Sequence, residues 1–155
     1  MNKNRLIRFG TTAEATRDSA RSTRDTDAFG ISATLIQNTQ SLGQVEFGLS
    51  ARKVKSEAAG LAFTAQGVQL SWRPNEITDK LSMAFGFGME RRDYYLTPAL
   101  PADIKLSASA SIVLPKIIYF GYVPEIMLNT TRIKSNYKPR DTFDYGLSLG
   151  LRSTF

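Results

Sequence analysis

The chain has 155 residues, the size of a single domain, with 42% hydrophobic residues and 20 basic against 14 acidic residues, a net charge of +6. It contains no cysteine and no histidine, which excludes disulfide frameworks, thiolate zinc sites, cysteine nucleophiles and Ser-His-Asp triads. No run approaches the roughly 18 to 20 apolar residues of a membrane helix, so crossing a bilayer would require strands.

In the first half of the chain, apolar residues alternate with small or polar ones in RLIRFGTTAEAT, FGISATLIQ and GQVEFGLSARK. This period of two predicts three strands. In GLAFTAQGVQLSW the apolar positions change phase, from Phe63 and Ala65 to Val68 and Leu70, across Gly67. The change predicts a fourth strand with a β-bulge at this glycine.

The second half continues the pattern in KLSMAFGFGMERR, DIKLSASASIVL, the less regular YVPEIMLNTTRIK and the final DYGLSLGLRSTF. Pro124 is best placed at a strand start, because proline cannot donate to a sheet ladder. The total is about eight strands, with no helical pattern between any two. No composition shift divides the chain, so residues 1–155 are expected to form one domain.

The links between these strands fall into two alternating sets. The first set consists of NTQSLG, RPNEITDK and the region of PKIIYFGY. The second set is on the whole longer and richer in charge, and consists of RDSARSTRDTD, KVKSEAAG, RRDYYLTPALPAD and KSNYKPRDT. Short periplasmic turns and longer extracellular loops are typical of bacterial outer-membrane barrels.

The alternation itself fits either a soluble sandwich or a membrane barrel. The polar face consists mostly of serine, glycine, alanine and threonine, where a water-facing surface usually carries many charges. This favours an all-β fold, an antiparallel up-and-down transmembrane β-barrel of about eight strands, complete or part of a larger barrel. Two aromatic girdles are then expected, one of Trp72, Tyr119, Tyr122 and Phe155, the other of Phe29, Tyr94, Tyr95, Phe143 and Tyr145.

The carboxy-terminal residues have two interpretations. They resemble the signal by which the barrel-assembly machinery recognises outer-membrane proteins, carried here by Tyr145, Leu147, Leu149, Leu151 and Phe155. The alternative is an ordinary last strand that ends on phenylalanine.

The last sixty or so residues look similar to the carboxy-terminal barrel of surface lipoprotein assembly modifiers. That family has a Gly-x-x-Pro turn before the penultimate strand, matched by Gly121 and Pro124, and an Arg-x-x-Ser-Asn element in the final loop, matched by Arg132, Ser135 and Asn136. The family's tyrosine-rich stretch after Ser-Asn is replaced here by YKPRDTF. Its members are larger, with a periplasmic helical-repeat domain and more strands, so the resemblance implies a barrel fragment or a reduced relative.

The resemblance implies a non-enzymatic role in moving lipoproteins to the cell surface, with a surface lipoprotein as client. A small barrel that acts as a pore or anchor is one alternative. A membrane-associated hydrolase is another, and the absence of a histidine base argues against it. Ser135 and Asn136 are therefore interpreted as part of a loop turn and not as part of a hydrolase site.

Charges on the polar face suggest an ion network in the barrel interior. Glu90 and Arg92 lie on one face of one strand, and the same face carries Glu46, Arg52 and Arg152. Buried charges are normally paired. These five charged residues are interpreted either as salt bridges that fill a narrow barrel interior or as part of a path for a substrate.

Location and partners follow from these expectations. The amino terminus lacks the apolar stretch of a secretory signal, so the sequence is expected to be cytosolic, a mature form or a fragment, with the last two favoured. The basic residues lie at strand ends without a nucleic-acid motif, so no nucleic acid is expected. The expected location is the outer membrane of Gram-negative bacteria, the expected partners are its lipid and lipopolysaccharide, and no cofactor is expected.

Overall fold

Eight strands form nearly all of the regular structure in the computed structural model, which describes residues 4–20, 22–58, 60–75, 81–96, 102–118, 120–135 and 137–153. They are β1 (Asn4–Thr16), β2 (Thr26–Thr39), β3 (Gly43–Lys55), β4 (Phe63–Arg73), β5 (Ser82–Tyr94), β6 (Asp103–Val113), β7 (Tyr122–Lys134) and β8 (Thr142–Ser153). Single 3₁₀ turns lie at Ser22–Arg24 and Lys138–Arg140. No helix in these ranges is long and apolar enough to cross a membrane.

The strands form one antiparallel sheet in the order β1-β2-β3-β4-β5-β6-β7-β8, each paired with the next along the chain. The predicted all-β, up-and-down architecture of eight strands is confirmed. Among the described residues, backbone pairing ends at β1 and β8 and does not join these two strands to each other. Each of them therefore has one edge without a paired neighbour.

The register aligns the alternating patterns of all eight strands, so the sheet has two distinct faces. In one row Leu49 of β3 lies opposite Val68 of β4, which lies opposite Met89 of β5. The adjacent row, on the other face, contains Ser50, Gly67 and Glu90. We call these the apolar face and the polar face, because side chains along a strand alternate between them.

The predicted β-bulge in β4 is wrong. The pairing of β3 with β4 continues without an extra residue from Ser50 opposite Gly67 to Arg52 opposite Ala65. Phe63 and Ala65 therefore lie on the polar face instead of returning to the apolar face. The physical reason is that Phe63 finds partners there, since its ring contacts the guanidinium groups of Arg52 and Arg92.

The links between strands lie at two ends of the sheet. We call the end with residues 17–25, 56–62, 95–102 and 135–141 the loop end, and the end with residues 40–42, 74–81 and 114–121 the turn end. Only the link between β2 and β3 is short, because the other links all have seven to nine residues. The predicted contrast in length is thus limited to that one turn. Gly43 closes it with a positive φ of 78°, a conformation that favours glycine.

Little of the chain is buried. Its accessible surface is 11076 Å², against about 7,800 Å² for a folded soluble monomer of this mass. The buried apolar side chains are few and belong to the polar face or to the links, for example Ile36, Val54, Ala65 and Val113. A soluble sandwich needs two sheets packed face to face. The described strands form one sheet, so the sandwich alternative does not apply.

Candidate functional site

An ion cluster lies on the polar face near the loop end. Glu90 Oε1 accepts hydrogen bonds from Arg92 Nε at 2.6 Å and from Arg52 Nη2 at 3.2 Å. The Arg92 and Glu90 side chains are 16% and 24% exposed, so water screens this cluster only in part. Three of the five charges predicted to form a network therefore meet.

Phe63 completes this cluster from β4. The Arg52 and Arg92 guanidinium carbons lie 5.3 and 5.2 Å from the centre of its ring, within the range of cation–π contacts. Tyr94 packs edge-on against the same ring at 5.7 Å. The aromatic ring thus lies beside two guanidinium groups that share the single Glu90 carboxylate, which balances one of their two charges.

The other two predicted charges, Glu46 and Arg152, lie apart from this cluster. Glu46 belongs to the same strand as Arg52 but is displaced toward the turn end, where it accepts a 2.8 Å hydrogen bond from Gln44 Nε2. Arg152 lies on the edge strand β8, opposite Val123. The alternation placed all five on one face but did not determine how far apart they lie along the strands.

A second cluster, at the loop end of the polar face, has no counterpart in the predicted sites. The Tyr94 hydroxyl donates a 2.8 Å hydrogen bond to Asp103 Oδ2, and Asp103 is buried. Arg140 Nη1 lies 3.6 Å from the same oxygen, and its guanidinium lies 4.1 Å from the centre of the Tyr94 ring. Arg140 Nη2 also donates a 2.7 Å hydrogen bond to the Gly60 carbonyl oxygen. The only signal in the sequence was an aspartate at the start of a strand.

The residues expected to form two aromatic girdles do not all lie on the apolar face. Trp72 lies on the apolar face, donates a 2.8 Å hydrogen bond to the Leu42 carbonyl oxygen at the turn end and stacks on Phe85. Tyr94 is not a girdle residue, because it lies on the polar face with its hydroxyl on Asp103. Tyr119 lies outside the described residues.

The two family-like turn residues lie at the start of the penultimate strand, Gly121 before it and Pro124 inside it. Gly121 directly precedes the penultimate strand β7 and has a φ of 78°. Pro124 is the third residue of that strand, opposite Leu151, and its carbonyl oxygen accepts a hydrogen bond from the Leu114 amide. Glycine meets a backbone requirement here, and the proline lies near the strand start as predicted.

Of the family-like residues expected in the final loop, Arg132 lies instead near the end of β7 and Ser135 lies in the loop. Arg132 Nη2 forms a 2.6 Å ion pair with Asp141 Oδ1, which joins the two ends of the loop. Ser135 is buried, and its hydroxyl accepts a 3.1 Å hydrogen bond from the Tyr137 amide, as in a serine turn. Asn136 lies outside the described residues.

Four residues of the expected assembly signal lie in a line on the apolar face of β8. Tyr145, Leu147, Leu149 and Leu151 are all more than 60% exposed, with Tyr145 at 81%. They belong to an edge strand whose outer side has no paired neighbour in the described part of the chain. Phe155 lies outside the described residues.

Comparison with known proteins adds no family. The chain matches no protein-family model, no curated protein and no solved structure. Within the described ranges, no group of three or more acidic side chains is arranged to hold a metal ion. The features available for function are therefore the two faces, the loop-end clusters and the open strand edges.

Proposed function

We propose that this chain forms part of the wall of an outer-membrane β-barrel, with its apolar face in contact with lipid. The observation that carries the proposal is the continuous apolar face, on which large side chains from all eight strands are exposed; Phe9, Phe87 and Leu149 are 79%, 56% and 75% exposed. Side chains of this size are stable in such numbers only against another apolar surface or the hydrocarbon of a bilayer.

The dimensions of the strands support this proposal. They contain 11 to 14 residues, and a tilted strand needs about 9 to 11 to cross the hydrocarbon region. The polar face offers small residues such as Ser50, Gly88 and Ser109, which suit a crowded barrel interior. The chain also has a larger accessible surface than a folded soluble monomer of the same mass. A chain with one side in contact with lipid is expected to have such an excess.

The open edges favour a larger barrel over a closed barrel of eight strands. Unpaired backbone groups cannot lie in hydrocarbon without a large free-energy cost, so β1 and β8 need neighbours in a membrane. In the described chain they do not pair with each other. Additional strands on both edges satisfy these groups.

The activity we propose is the transfer of lipoproteins to the cell surface by this larger barrel. The support is the resemblance to surface lipoprotein assembly modifiers together with the positions of its residues, because Gly121 shapes the turn before β7 and Ser135 shapes the final loop. Both lie at the ends of the strands, where a client approaches the barrel.

The test is surface display of a co-expressed lipoprotein, measured by protease shaving of intact cells. The protein in its full-length cellular form should support display, and the Gly121→Ala and Ser135→Ala variants should reduce it while their insertion remains normal. Unchanged display in cells that lack the protein would contradict this activity. The wall proposal is tested separately by membrane flotation of the same samples.

A small barrel that serves as an anchor is the second candidate, and the loop-end clusters favour it. Arg140 reaches across the polar face to Gly60, and the Arg52, Glu90 and Arg92 cluster lies on the same face. Both would obstruct the interior of a closed barrel of eight strands, which side chains already fill. In that case amide hydrogen exchange in β1 and β8 of the 155-residue chain alone would be as slow as in β4, because the two edges would pair with each other; in the larger-barrel account both strands of this chain alone should exchange faster.

A further inference from the structure

Glycines on the polar face lie opposite hydroxyl side chains. In β1 to β5, six of them pair across the sheet with a serine or threonine, whose oxygen lies 2.6–3.5 Å from the place that a glycine Cβ would occupy. The six pairs are Gly10 with Ser32, Gly30 with Thr12, Gly48 with Thr34, Gly67 with Ser50, Gly86 with Ser109 and Gly88 with Ser107. The missing side chain on one strand thus leaves room for a hydroxyl on the next strand.

Two glycines of β8 lack such a partner. A Cβ at Gly146 or Gly150 would meet no atom within 4 Å. On the side of β7 these glycines lie opposite Asn129 and Glu125, which carry no hydroxyl. By the pattern of the other strands, the missing hydroxyls belong to a strand on the open edge of β8.

The other open edge, β1, carries hydroxyls at the matching spacing. Thr12 and Thr16 are four residues apart on the polar face, as are Gly146 and Gly150. The strands β1 and β8 run in opposite directions, because the chain reverses direction at each of the seven links between them. Antiparallel pairing of these edges can therefore place Thr16 opposite Gly146 and Thr12 opposite Gly150.

The apolar face fits the same register. Leu147 and Leu149 of β8 then lie opposite Ala15 and Ala13 of β1, so each large side chain meets a small one. On the polar face Arg152 lies opposite Gly10, and no like charges oppose each other. Cross-strand pairs of complementary size and charge stabilise a sheet.

The register also gives the strands a tilt that suits a membrane barrel. A row of directly paired residues leads from Phe9 of β1 to Phe143 of β8, whereas the proposed register places Ser153, ten residues further along β8, opposite Phe9. Ten residues at about 3.3 Å give about 33 Å along the strands, against about 38 Å for eight strand spacings, so the strands tilt by about 41°. Outer-membrane barrels have tilts of about 35–45°.

Other registers fit less well. The side chains keep to their faces only when the offset is an even number of residues. An offset of eight residues places Arg152 opposite Arg8, and an offset of twelve places Gly150 opposite Glu14. Offsets of six or fourteen residues give tilts of about 28° or about 51°, outside the range of membrane barrels.

We infer that β8 pairs with β1 of a second copy of this chain in this register, and that two copies close one barrel through two such seams. The β1 of the same chain does not fill the site, because the space beside Gly146 and Gly150 is open and the described β1 and β8 are not paired. The inference rests on the proposed function, since it names the neighbours that the two edges need in a membrane. Eight strands from each copy make sixteen, a size that leaves an aqueous channel, whereas side chains fill a barrel of eight.

The experiment places cysteines on the two edges of the protein inserted in lipid vesicles. The double variant Thr12→Cys, Gly150→Cys is treated with a bifunctional thiol reagent that spans about 5 Å, the Cβ separation of opposite residues. A covalent dimer is expected on a denaturing gel. The matched control is Thr12→Cys, Gly146→Cys, whose thiols lie about 13 Å apart in this register and should form at least tenfold less covalent dimer. Equal dimer from both variants, or a monomer with an internal cross-link from the first, would overturn the inference.

A single substitution tests the seam without cysteines. Gly150→Val should weaken association of the two copies at least tenfold, because the new side chain meets Thr12 of the second copy. In the separate chain the same side chain meets no atom within 4 Å, so unfolding of the monomer should not change. Thr142→Val, which lies beyond the paired part of β8, is the control and should associate as the unchanged protein does. Native mass spectrometry of the extracted protein measures the dimer fraction.

The outcomes separate the inference from the proposed function. Unchanged protein that floats with the vesicles but remains monomeric would contradict the second copy alone. Failure of the unchanged protein to float with the vesicles would instead contradict the proposed membrane wall.

Discussion

Arg140 donates a 2.7 Å hydrogen bond to the carbonyl oxygen of Gly60, although the two residues are 80 positions apart in the chain. One belongs to the link between β7 and β8, the other to the link between β3 and β4. In a flat sheet β4 and β7 would be separated by three strand spacings, about 14 Å. The contact therefore indicates that the sheet is curved at its loop end, with the polar face on the inside of the curve.

The first prediction concerns this contact. Arg140→Ala should lower the free energy of unfolding by about 2–3 kcal/mol, because the variant loses a hydrogen bond and leaves the buried Asp103 carboxylate without its positive neighbour. Reversible urea unfolding in detergent measures the change. Lys138→Ala, two residues earlier and exposed, is the control and should change stability by less than about 0.5 kcal/mol. Equal stability of the two variants would show that the loop contact is weak in solution.

The second prediction concerns the ion cluster. Glu90→Gln should destabilise the protein by about 1–2 kcal/mol, because it leaves Arg52 and Arg92 close together without a carboxylate. Glu46→Gln changes the same residue type on the same face, where the partner is a neutral amide, and should have little effect. The same unfolding measurement applies. A larger loss for the Glu46 variant would mean that the cluster does not hold the strands together.

The third prediction concerns the tightest turn. Gly43→Ala should cost about 1–3 kcal/mol, because a side chain is strained at a φ of 78° and its Cβ would clash with the Arg73 carbonyl oxygen. Gly146→Ala is the matched control, since a Cβ there meets no atom within 4 Å. The control should be neutral or more stable by up to about 1 kcal/mol. The thermal unfolding midpoints of the two variants measure both changes in stability.

The fourth prediction concerns assembly in the cell. Deletion of Phe155 should reduce the amount of protein in the outer membrane much more than it reduces stability after refolding in detergent. The reason is that Phe155 is expected to be part of the signal that the barrel-assembly machinery recognises. Quantitative immunoblotting of outer-membrane fractions measures the first effect, and unchanged yield would assign the residue to the last strand alone.

Much of the fold could be predicted from local alternation. Leu106 and Ser107 were assigned to opposite faces from the sequence, since neighbouring residues of a strand cannot share a face. The strand order also follows when short links connect consecutive strands, because each strand then pairs with the next along the chain. The count of eight strands depended only on these local patterns.

The exceptions have one physical cause, which is contact between residues distant in sequence. The phase change at Gly67 was interpreted as a bulge, whereas Phe63 lies on the polar face in an unbroken ladder, in contact with arginines of β3 and β5. The contacts of Tyr94 and Arg140 with Asp103 join three links or strand ends. No periodicity contains that information, so the loop-end cluster could not be predicted.

The central claim, that the apolar face meets lipid, is tested most directly by single cysteines, since the chain contains none. Leu49→Cys, Leu106→Cys and Leu149→Cys lie on the apolar face, and Ser50→Cys, Ser107→Cys and Ser148→Cys are their neighbours on the polar face. Nitroxide spin labels are attached to each thiol before the protein is inserted in lipid vesicles, because thiols in hydrocarbon do not ionise and react poorly there. The first three labels should be relaxed more by oxygen, which partitions into hydrocarbon, and less by a water-soluble nickel chelate than the other three. Equal accessibility of both sets would contradict the account.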